Sequence, residues 1–180
     1  MQGLSAERIN DFPILKGMFL SDTEHKQFLP TPEGGFNAID LSVMDVALQR
    51  VEKQAKQRSA SGIQVVTIEF ARTSYQEALQ HFSKELIDSS HVLFLDANVD
   101  TCLERIHERV THPQTEDDHP SFPDEKFSNY YGYDNRQYML DIFREDFLAA
   151  RNEFIDTETL SLEGFQNRLC TFTDKLFLTL

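Results

Sequence analysis

The strongest constraint on the fold is the stretch Ile63-Gln64-Val65-Val66-Thr67-Ile68-Glu69-Phe70-Ala71-Arg72. Its β-branched run has the composition of a strand buried in a parallel sheet. The run stops at Glu69, Arg72 follows three residues on, and a helical pattern starts near Tyr75. A carboxylate at the carboxyl end of a buried strand stands where open α/β sheets bind their ligands. Glu69 and Arg72 are therefore the first candidate functional residues.

The rest of the chain alternates strand and helix around that stretch. Leu4 to Ile9 reads as a short strand, and Ile14, Leu15, Met18 and Phe19 make a brief helix after Asn10-Asp11-Phe12-Pro13. His91 to Leu95 is a second hydrophobic strand ending at Asp96, and Phe154 to Thr157 is a final one. Helical periodicity runs from Leu41 through Ala55, from Tyr75 to Ile87, from Asn98 to Val110, from Tyr138 to Ala150 and from Leu162 to Leu176. Ser21 to Asp40, with Pro30, Pro32, Gly34 and Gly35, reads as a long loop. The alternation predicts one α/β domain over 1–180, a three-layer α/β/α arrangement with a mainly parallel sheet.

Charge and composition exclude some classes. A net charge of −13 argues against a general nucleic-acid binder, because phosphate backbones reward Lys and Arg. No apolar run approaches the roughly 20 residues that span a bilayer, and the first residues lack a signal-peptide pattern, so a cytoplasmic protein without a membrane partner is expected. Cys102 and Cys170 fall in helical patterns and read as buried thiols.

Several other residues carry two readings each. Asp11 lies at a strand-to-helix switch, as a functional carboxylate or as the cap of the helix that Pro13 opens. Arg105 and Arg109, four apart, share a helix face with Glu104 and Glu108 beside them. They are surface ion pairs, or two guanidiniums bracketing a polyphosphate. The cluster His112, Glu116, Asp117, Asp118 and His119 lies in a proline-broken segment that resembles a mobile flap more than a metal site. The aromatic run Phe127, Tyr130, Tyr131, Tyr133 and Tyr138, interleaved with Asn129, Asp134, Asn135 and Arg136, either stacks a base or packs the flap on the core.

Taken in order, Asn10-Asp11-Phe12, Ile68-Glu69-Phe70-Ala71-Arg72 and Leu103-Glu104-Arg105-Ile106-His107-Glu108-Arg109 resemble the P-loop kinases, in particular the nucleoside and nucleotide kinase branch. The resemblance implies an ATP-dependent phosphotransferase using Mg and ATP, with a nucleotide or other small phosphate acceptor as partner; it leaves a homodimer open. By position it implies Asp11 near the acceptor as base or orienting carboxylate. Glu69 would stand near magnesium-bound phosphates, Arg72 would meet the acceptor, and Arg105 and Arg109 would neutralise the moving phosphoryl group from a lid-like segment at about 98–137.

The sequence contains no Gly-x-x-x-x-Gly-Lys-Ser/Thr, and Gly34-Gly35 lacks that spacing. In the family that loop follows a first strand lying centrally between those corresponding to Val65–Glu69 and Val92–Asp96. Its absence implies an inactive or impaired enzyme. It also implies either a fragment of a longer kinase with two unpaired hydrophobic edges, direct closure of the two strands on each other, or another segment filling the gap. A nucleotide- or metabolite-binding module and an ion-paired interaction protein are the competing readings.

Overall fold

The structure, a computed structural model, describes residues 4–32, 34–114, 124–133, 135–147 and 151–177. The cluster Glu116 to His119, with Pro120 and Pro123, and Asp134 of the aromatic segment lie outside the described residues.

Strand β1 (Ala6–Asn10) leads directly into α1 (Asp11–Ser21). Asn10, extended at φ −109° and ψ 140°, accepts a hydrogen bond from the Phe12 amide at 2.9 Å and so caps the helix. Asp11 is released from the capping role. Within the expected loop, β2 (Phe28–Pro30) and β3 (Phe36–Ala38) form an antiparallel hairpin. Phe12, Phe19 and Phe28 close around Phe36, with ring centres 5.0 to 5.9 Å from its own. Three-residue strands are too short to show alternation in sequence, so stacked rings rather than periodicity hold this hairpin.

Helix α2 (Ser42–Ala60) buries Val43, Ala47, Leu48, Val51 and Ala55 along one stripe. Gly62, at φ 94°, turns the chain into β4 (Val65–Glu69). Strand β4 pairs parallel with β1, from Ala6 against Val65 to Asn10 against Glu69. The expected helix over Tyr75 to Ile87 is two helices, α3 (Tyr75–Leu79) and α4 (Lys84–Ser89), because the Ser83 side chain caps a new start. Strand β5 (His91–Asp96) and α5 (Val99–Thr111) follow, and the Asn98 side chain caps the latter by accepting from the Thr101 amide. Helix α6 (Asp124–Tyr131), a π-helical turn (Tyr138–Ile142) and α7 (Phe143–Asp146) lead to β6 (Arg151–Asp156) and α8 (Leu162–Phe177). Strand β6 pairs parallel with β5, His91 against Arg151 through Asp96 against Asp156.

The architecture is three-layer α/β/α, but its strands form three small two-stranded sheets, two parallel and one antiparallel. Among the described residues β4 and β5 do not pair with each other. The main core draws on Ile9, Leu48, Val51, Leu79, Phe82, Met139 and Phe143, with Val66, Ile68, Val92 and Phe94 packed against it. A second cluster under the hairpin holds Leu15, Met18, Phe28, Val43 and Ala47. The expectation that both cysteines are buried is corrected here. Cys170 is exposed and Cys102 only half-buried, because α5 and α8 have no buried residue. No described helix is long and apolar enough to cross a membrane.

Candidate functional site

Each parallel strand ends in a polar residue or passes the chain to one. Strand β1 delivers Asp11, β4 ends at Glu69, β5 at Asp96 and β6 at Asp156. The side chains of Asn135 and Arg136 join the two pairs. Asn135, itself buried, accepts from the Tyr75 amide at 2.9 Å and donates to the Thr73 carbonyl at 3.1 Å, just past β4. Arg136 reaches Asp96 at 3.0 Å and Asp156 at 3.9 Å, and lies over the Phe154 ring. Because Asn135 and Arg136 are neighbours in sequence, the carboxyl ends of both pairs share one rim.

Asp11 and Arg72 form the buried centre of that rim, 6% and 7% exposed. Arg72 Nη1 donates to the Asp11 carboxylate and, at 2.7 Å, to the Ala71 carbonyl. Nη2 donates to the Met44 carbonyl at 3.2 Å, whereas Nε is buried without a hydrogen-bond partner. Burial pushes the Asp11 carboxyl above the usual carboxylate range; Arg72 pulls it back and Glu69 adds to the rise. Three phenols lie within electrostatic reach of the pair. Burial pushes Tyr75 up to about 12 and raises Tyr130 and Tyr131 as well. All three therefore stay neutral at physiological pH.

The other predicted residues are placed differently. Glu69 is held by Arg8 of the neighbouring strand, Nε to carboxylate 2.6 Å, with 61% of its side chain exposed. Arg105 does not pair with Glu104 or Glu108. Its Nη1 donates to Thr157 Oγ1 at 2.9 Å and its Nη2 to the Thr157 carbonyl at 3.0 Å, docking α5 on the exit of β6. The Arg109 side chain, in the last turn of α5, makes no hydrogen bond or ion pair with the described residues. Asp11 and Arg72 thus come together and Arg105 joins the same rim beyond Asp156. No contact links Arg105 or Arg109 to Asp11, Glu69 or Arg72 among the described residues.

Sequence reasoning missed Arg8, Asn135 and Arg136 as members of this rim. Asn135 and Arg136 were visible only as polar residues interleaving an aromatic run. Arg8 lies at an alternating position of a short strand, where the only sequence signal was its register opposite the next parallel strand.

The described residues form no all-protein metal cage, whereas magnesium at a phosphate site ordinarily takes one or two carboxylates with phosphate oxygens and water. Among the described residues no three His, Cys, Asp or Glu side chains are grouped to hold one. Glu69 and Asp96, the carboxylates nearest the strand ends, are already engaged by Arg8 and Arg136. The rim by itself orients and charge-balances. No protein-family model and no curated protein matches this chain.

Proposed function

We propose that this chain is a kinase-like α/β protein, related to phosphotransferases that act on a nucleotide or another small acceptor, and impaired in catalysis by itself. The observation that carries the reading is the buried Asp11–Arg72 pair at the carboxyl end of adjacent parallel strands. Phosphoryl transfer asks a protein mainly for positioning and charge stabilisation. Asp11, presented at the first turn of α1, would orient an acceptor hydroxyl once an anionic ligand competes for Arg72. The neutral phenols of Tyr75 and Tyr130 would lie beside that position. Arg109, unpaired among the described residues, is the lid cation left to meet a phosphate. The impairment follows from the sequence, which contains no Lys-bearing glycine loop.

A second reading is favoured by one observation. Arg72, Arg105 and Arg136 each already bond protein groups, as expected of ion-pair scaffolding in an interaction module. Calorimetric titration separates the two. The folded chain is titrated with nucleoside mono- and triphosphates, with and without magnesium, beside the Arg105→Ala/Arg109→Ala variant. The phosphotransferase-like reading expects binding by the parent chain that weakens at least about tenfold in the variant, and that also weakens in Arg109→Ala alone, which leaves the Arg105 bonds to Thr157 in place. No binding of any of these ligands by folded protein would leave the interaction module as the reading.

A further inference from the structure

Helix α1 carries a glycine that its own backbone does not need. Gly17 lies in the interior of α1, and the described glycines at positive φ are Gly34 and Gly62. A Cβ on Gly17 would meet no described atom within 4 Å, so no neighbour demands its absence. Glycine inside a helix is unfavourable beside almost any other residue. What the missing side chain leaves is space. Gly17 lines a cleft of about 390 Å³ between α1, β1 and α2. That volume lies within the range of small-molecule sites, roughly 300–1,000 Å³.

The floor of the cleft is apolar, and its rim is polar without being acidic. Ile9 is buried, Ile14 packs against both core clusters, and Pro13 adds its ring from the first turn of α1. Arg50 and Gln54 stand one turn apart on one face of α2, and Arg8 and Asn10 close the β1 side. Among the described residues no carboxylate lines the cleft, although the chain holds 30 Asp and Glu residues against 17 Lys and Arg. The polar groups are engaged unequally. Arg8 is held by Glu69 at 2.6 Å, and Asn10 Oδ1 accepts from the Phe12 amide, leaving Nδ2 as that side chain's donor. Arg50 makes no hydrogen bond or ion pair with the described residues. One positive charge therefore stands uncompensated beside an apolar floor.

We propose that this cleft binds a small apolar carboxylate, its charged end on Arg50 and its hydrocarbon body against Ile9, Pro13, Ile14 and Gly17. A guanidinium presents a planar fork that a carboxylate matches with two parallel hydrogen bonds. Charge separates this ligand from a phosphate ester. A dianion would bring a second negative charge, and Glu69 already neutralises Arg8. Gln54 and Asn10 Nδ2 supply the remaining donors. The net charge of −13 repels anions from the molecule at large, so affinity for one comes from a local site. The cleft shares no residue with the Asp11–Arg72 pair, so its ligand is independent of what that pair does.

Calorimetric titration of the 180-residue chain with octanoate, octanamide and inorganic phosphate tests this, beside the variants Arg50→Gln and Gly17→Leu. Octanoate is expected to bind at least about tenfold more tightly than octanamide or phosphate, and Arg50→Gln is expected to remove that preference. Gly17→Leu puts a side chain into the cleft at a position whose backbone accepts one. It is expected to abolish octanoate binding without lowering the melting temperature. No octanoate binding by the folded parent chain would overturn the site. Equal binding of octanoate and octanamide would overturn the role of Arg50. Octanoate binding unchanged in either variant would place the ligand elsewhere and overturn the cleft.

Discussion

Arg72 ties three segments together through hydrogen bonds: the start of α1 at Asp11, its own loop at Ala71, and α2 at Met44. A buried pair of this kind returns little net stability, but removing one partner strands a charge away from water. Asp11→Asn is therefore expected to lower unfolding stability by ~3–5 kcal/mol in urea titration. Asp11→Leu combined with Arg72→Met should recover much of that loss; simple addition of the single losses would show that the two residues do not act as a unit. The capping role weighed for Asp11 falls to Asn10 instead. Asn and Asp cap helices almost equally well, so the one-residue placement was invisible until the helix start was seen.

A second residue gives a pH dependence. Burial pushes the Glu153 carboxyl up, but bonds from Arg168 at 2.5 Å and Lys175 at 3.1 Å outweigh it and hold its pKa below the ordinary value. A depressed acid contributes stability above its unfolded pKa and loses that contribution as pH falls through its folded one. Glu153→Gln should then lower the melting temperature at neutral pH, with parent and variant converging in acid. A gap that stays constant with pH would assign the effect to packing.

At the level of elements, the break between α3 and α4 shows what periodicity hides. Ala78, Leu79, Phe82 and Leu86 continue the apolar pattern across it, so one helix was expected from Tyr75 to Ile87. The break is set by Ser83, which caps α4 and is gripped by Glu52 of α2 through its amide at 2.9 Å and its hydroxyl at 2.5 Å. Glu52 lies 31 residues earlier, beyond any helical repeat. Ser83→Ala loses the cap and the hydroxyl bond to Glu52, which keeps the residue-83 amide and Lys56 as partners, so a destabilisation of ~1–2 kcal/mol is expected in chemical denaturation. No change would show that the α2–α4 contact is dispensable. The hairpin β2–β3 was illegible for the same reason: its rings meet Phe12 and Phe19 of α1, not each other's periodicity.

Across the whole molecule, one core serves both strand pairs. Phe143, fully buried, sits in that core with Ile9 of β1, while Val66 of β4 and Val92 of β5 pack against it. Phe143→Ala is expected to cost ~3–5 kcal/mol and to shift a single transition seen alike by far-ultraviolet dichroism and tyrosine fluorescence. Two separated transitions would mean that the pairs unfold independently. Local periodicity in the sequence was enough to determine the four parallel-paired strands, most helices, their alternation and the acids at the strand ends, because those patterns repeat within a few residues. Only the tertiary structure decided which charge meets which. Arg72 finds Asp11 and Arg8 finds Glu69 at 61 residues' separation, and Arg105 finds Thr157 at 52. Such pairings depend on strand order and helix docking, which no local repeat encodes. The same holds for β4 and β5, which do not pair among the described residues: hydrophobic runs call for strands, but the packing around them decides whether two edges meet.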